Sequence, residues 1–82
     1  MILSPKEAYE KAKFYREGRM KVVKYDIINR VNKAIEDGKY RALIEVPDDF
    51  TEEEVDNLLE PYAEAGYFVD SIYNTLIIDW EE

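Results

Sequence analysis

Cysteine and histidine are both absent from the 82 residues. The first absence excludes disulfides, iron–sulfur ligation and thiol catalysis. The second removes the usual general base near neutral pH and the commonest zinc ligand. Carboxylates, tyrosines and lysines remain, with no recognisable catalytic pairing, so the expectation is a protein that is not an enzyme and has no catalytic, cofactor or metal site. No apolar run approaches the roughly 20 residues that span a bilayer. Met1-Ile2-Leu3 is too short for the apolar region of a secretion signal, and the expected location is the cytoplasm.

Base is missing from half of the chain. Residues 1–41 hold all eleven Lys and Arg with six acids, whereas residues 42–82 hold thirteen acids and no Lys or Arg. The net charge of −8 therefore conceals a dipolar chain. Either the two halves attract each other, within the fold or between subunits, or the acidic half meets a basic partner surface.

Met20, Val23, Ile27, Val31, Ala34 and Ile35 recur at three- and four-residue spacing and predict one apolar side of a helix. Gly38 follows as its stop. Ser4-Pro5-Lys6-Glu7 is a start signal, with a capping serine, a proline in the first turn and a glutamate that completes a capping box. The predicted helix over 4–37 would be about 50 Å long, which overhangs a domain of this size. Before Gly18, Ala8, Ala12 and Tyr15 lie on a rotated face, and only Tyr9 stays on the main line. Either Gly18 kinks the helix and folds the first half back, or that half projects and packs on another subunit. The second is preferred, since one interior glycine costs only about 1 kcal/mol.

Residues 40–46 alternate as a strand, with Ala42, Ile44 and Val46 on one face. Thr51 and Glu54 form a second capping box, and Val55, Leu58, Leu59 and Tyr62 make the buried stripe of a second helix. Pro61 is expected to kink or tighten that helix, and Gly66 to end it. Residues 67–72 and 75–80 read as strands joined at Tyr73-Asn74, where asparagine tolerates a positive φ. The fold class is α+β: a two-layer α/β sandwich in the order α-β-α-β-β with a three-stranded mixed sheet. Residues 1–82 form one domain, the helix over 4–37 and a β-α-β-β unit over 40–80. Trp80 is expected in the core beside Val69, Leu76 and Ile78.

The other sheet face would carry Leu43, Phe68 and Ile77 beside Glu45, Asp70 and Asp79. With Tyr9 and Tyr15 on the projecting helix, those three apolar residues form the expected partner-binding surface. The three carboxylates lack a loop of calcium-binding spacing, so no metal site is assigned. Asp48, Asp49, Glu52, Glu53, Glu54 and Asp56 form the densest acidic run, which either caps the second helix or imitates a phosphate backbone. Lys11, Lys13, Arg16, Arg19, Lys21 and Lys24 make a basic helix with Tyr9, Phe14 and Tyr15 interleaved. The acidic whole opposes direct nucleic-acid binding. Arg30, Lys33, Lys39 and Arg41 could instead clamp a phosphorylated small molecule.

Three stretches stand together: residues 31–40 (VNKAIEDGKY), residues 65–69 (AGYFV) and residues 75–80 (TLIIDW). A helix ending in I-x-x-G-x-y, a later G-Y-x-V strand and a closing I-x-W strand resemble small uncharacterised proteins of tailed bacteriophages. The resemblance covers residues 27–80 and assigns no site residues. It implies a phage-encoded accessory protein in the host cytoplasm, acting on a host component. The functional expectation is a non-enzymatic homo-oligomeric binding protein, assembled through its N-terminal helix, that inhibits or sequesters a host factor. Alternatives are a sponge for a nucleotide signal and an acidic DNA mimic that inhibits a DNA-binding protein.

Overall fold

The structure is a computed structural model and describes residues 2–81. A first helix, α1 (Pro5–Glu36), leads into strand β1 (Arg41–Glu45), and a second helix, α2 (Glu52–Glu64), is followed by the hairpin β2 (Phe68–Ile72) and β3 (Thr75–Asp79). Both helix starts follow from side-chain capping. Ser4 accepts from the Glu7 N–H at 3.2 Å, while the Glu7 carboxylate takes the serine hydroxyl instead of closing a full box. The box at Thr51–Glu54 is reciprocal, with both bonds made. Gly38 and Gly66 take positive φ values of 74° and 102° just past the two helix ends, where a Cβ would be strained. α2 continues through Pro61 to Glu64. At the hairpin the positive φ falls on Tyr73 rather than on Asn74.

The sheet order is β1-β3-β2, and both pairings are antiparallel. The expected mixed sheet is thereby corrected, since β1 and β2 never pair. The β1–α2–β2 connection leaves a gap one strand wide, and the tight turn at Tyr73-Asn74 returns β3 into it. Composition favours this arrangement. β3 carries Leu76 and Ile78, both fully buried, so it belongs in the centre, whereas Arg41, Glu45, Asp70 and Ser71 tolerate the two edges.

α1 packs on β1, and α2 on β2 and β3, all over the face bearing Ala42, Ile44, Val69, Leu76 and Ile78. The core joins these to Ile27, Val31, Ala34, Leu58 and Leu59, with Met20, Val23, Val55 and Tyr62 partly buried at its margin. Two expectations need correction. Ile35 lies off the buried line and is 48% exposed. Trp80 is only half-buried, at the end of an edge-to-face row with Tyr67 and Tyr62, and its indole N–H donates to the Lys39 carbonyl at 3.1 Å.

α1 runs through Gly18 as one 32-residue helix. Its first turns do not fold back: residues 5–15 are all exposed, Tyr9 among them, because no other element reaches that far. The molecule is consequently 55 Å long and only 21 by 20 Å across.

Truncating Leu76 to alanine is expected to cost about 2–5 kcal/mol in urea unfolding, and Leu43→Ala less than about 0.5 kcal/mol. Trp80→Ala falls below the roughly 3–5 kcal/mol of a fully buried tryptophan. Equal losses at Leu43 and Leu76 would mean that the sheet faces are inverted.

Candidate functional site

The strand registers set the geometry of the uncovered face. Its rows across β1, β3 and β2 read Arg41–Asp79–Phe68, Leu43–Ile77–Asp70 and Glu45–Thr75–Ile72. Leu43, Phe68 and Ile72 are each more than half exposed, and Ile77 lies half-buried between them. The face assignment of Leu43, Phe68 and Ile77 follows from strand alternation, so the structure brings these three together. Ile72 belongs with them. Its place two residues beyond Asp70 in the same alternation carried that signal. Tyr9 and Tyr15 lie on the exposed part of α1, so the five expected partner residues divide between two surfaces.

The same register separates the three carboxylates. Glu45 and Asp79 occupy opposite ends of the face with a row between them, and Asp79 accepts from Arg41 at 3.1 Å. A hydrogen bond from the Glu81 N–H and the Arg41 guanidinium hold the Asp79 carboxyl below its ordinary pKa against the opposing effect of burial. Among the described residues no three acidic side chains gather as metal ligands would.

Arg30, Lys33, Lys39 and Arg41 do converge. They line one groove of about 620 Å³ between the last turns of α1 and the edge of β1, with Tyr40 and Leu43 on its wall. Three of the four already face carboxylates: Arg30 lies 3.2 Å from Asp26, Lys33 3.8 Å from Asp37 and Arg41 3.1 Å from Asp79. An anion entering this groove would compete with those acids, and the resulting field is mild.

The two charged halves meet chiefly at the middle of α1. Arg16 pairs with Glu54 and lies 3.6 Å from Asp49, while Arg19 reaches Asp49 at 2.6 Å and lies over the Phe50 ring. Glu54 thus caps α2 and receives Arg16 together. Two of the six acids in the dense run, and two of the six cations on the basic helix, are therefore spent on this clamp. Asp48 is engaged as well, by the Asn74 amide at 2.8 Å.

The Arg19 hydrogen bond draws the Asp49 carboxyl down to about 2, against burial and with further help from the charges of Arg19 and Arg16. Glu54 is lowered mainly by its bond from the Thr51 N–H, again opposed by burial. A carboxyl whose folded pKa lies below its unfolded value stabilises the fold above the unfolded value and loses that contribution as pH falls through the folded one. For Asp49 the window runs from the ordinary 3.8 down to about 2. Melting temperature is expected to fall across that interval, and Asp49→Asn should flatten the fall. An unchanged acid slope in Asp49→Asn would remove the clamp as its cause.

Comparison with protein-family models, characterised proteins and solved structures returns no match, so the resemblance to phage proteins rests on the three sequence stretches alone.

Proposed function

We propose that this chain is a non-enzymatic binding protein that works as a homo-oligomer and presents its outer sheet face to a second protein. The observation that carries the reading is large apolar side chains held in the open by rigid elements. Leu43, Phe68 and Ile72 stand on a paired sheet, and Tyr9 and Tyr15 stand on an unbroken helix. Exposed apolar surface concentrated in this way marks contact sites. Glu45 and Asp70 border the sheet patch while Asp79 is paired with Arg41, so the complementary surface is apolar at its centre with basic groups facing Glu45 and Asp70. In the phage setting that the sequence stretches suggest, the second protein is a host component that the oligomer inhibits or sequesters.

A second reading follows from the groove. Four cations lining one groove suit a phosphorylated small molecule, which makes the chain a sponge for a nucleotide signal. Melting curves with cyclic mono- and dinucleotides decide this: stabilisation that is lost in Lys39→Ala supports it, and no shift with any of them removes it. The acidic DNA-mimic reading gains less, because Asp49 and Glu54 are engaged by Arg16 and Arg19.

Oligomerisation is tested by light scattering on the full chain over a wide concentration range. The expected mass is at least twice the 9.7 kDa of one chain. A single-chain mass throughout would end the homo-oligomer reading.

A further inference from the structure

α1 carries a second stripe, apolar but for one lysine, that the fold leaves unused. Ala8, Lys11, Tyr15, Gly18, Val22 and Tyr25 follow one another at alternating three- and four-residue steps. At about 100° per residue they lie away from the buried line of Met20, Val23, Ile27, Val31 and Ala34, with Ala8 and Tyr15 to one side of it and Lys11, Gly18, Val22 and Tyr25 nearer the opposite face. Tyr15, Val22 and Tyr25 are each more than two-thirds exposed. This is the spacing of a helix–helix seam.

Gly18 is the second observation. An interior glycine weakens a helix, and nothing within the chain requires this one. It has no positive φ, and a Cβ built on it would meet nothing within 4 Å. A groove of about 480 Å³ opens over it, walled by Phe14, Tyr15, Arg19, Val22 and Val23 of α1 and by Pro47 from the loop after β1. A glycine that the fold does not need, at the floor of an apolar groove on an exposed seam, admits the close approach of another side chain.

The geometry points to a second copy of this chain as the occupant, its α1 antiparallel to the first, with the two-fold axis between Tyr15 and Gly18. In that register each Tyr15 ring fills the hole over the partner's Gly18, Tyr25 meets the partner's Ala8, and Val22 lies along the Lys11 stem. Large opposes small in both tyrosine layers, which is the volume complementarity that a packed seam needs. Charge agrees. Lys21 falls between Glu10 and Phe14 of the partner on the shared flank, and the two-fold repeats the pairing. This inference rests on the homo-oligomer reading and names its interface.

Cysteine cross-linking tests the register, because the chain has no cysteine of its own. A variant with both Ala8→Cys and Tyr25→Cys is expected to become a covalent dimer under mild oxidation. Each single variant should not, because like positions lie roughly 25 Å apart along an antiparallel pair, far beyond the ~7 Å Cα separation that a disulfide allows. Gly18→Leu places its Cβ in open space in the single chain and fills the groove above it. It should keep or raise the helix content yet weaken dimerisation at least tenfold, whereas Phe68→Ser on the sheet should leave the dimer intact. A wild-type protein that is dimeric, yet keeps its mass in Gly18→Leu or gives no cross-link in the double variant, overturns this interface and leaves the oligomer reading standing. Cross-linking of both single variants would mean parallel helices and would equally overturn it. A wild-type protein of single-chain mass ends both.

Discussion

A sheet of three strands, spaced about 4.8 Å apart, is no wider than two helices packed about 10 Å apart. That constraint governs the molecule. α1 and α2 together cover one face of the sheet apart from Ser71 at the β2 edge, and none of the described elements covers the other. The buried face can therefore be apolar throughout its centre, with Ile44, Leu76 and Ile78 fully enclosed. The opposite face is left to solvent, and on it Leu43, Phe68, Ile72 and Ile77 alternate with Arg41, Glu45, Asp70 and Asp79.

Much of the architecture was legible because local chemistry and global packing agree. Ser4 and Thr51 announce the two helix starts, Gly38 and Gly66 the two stops, and two-residue alternation separates Ala42, Ile44, Leu76 and Ile78 from Leu43 and Ile77. The strand order was not legible. Alternation gives each strand a face but no neighbour, and only the competition for the central position selects β3. Ile35 and Trp80 misled for a related reason. Apolar character marks a side chain as able to be buried, while the width of the covering layer decides whether it is.

The candidate surfaces were read less evenly. The sheet patch followed from period two and lacked only Ile72. The outer seam proposed for α1 was legible in part: Ala8 and Tyr15 fall on a face rotated from the buried line, but Gly18 read only as a possible kink and Val22 and Tyr25 were not joined to that face. Charge told its story only in part. The sequence separates acid from base, but the chain must fold before Arg16 and Arg19 are known to meet Asp49 and Glu54 rather than a partner. Similarly, Arg30, Lys33, Lys39 and Arg41 are near in sequence and converge in space, yet three of them face acids from their own chain.

The length of α1 has a mechanical consequence. From Ile27, where the helix is embedded in the core, to Pro5 at its tip is a rigid rod of about 33 Å, so a tilt of 5° at the base would swing the tip by about 3 Å. Arg16 and Arg19, gripping Asp49 and Glu54 beside the start of α2, act as a stay partway along that rod. They shorten the free lever to its first eleven residues or so and tie its bearing to the loop that follows β1. Anything that loosened the stay would steer the arm without touching it.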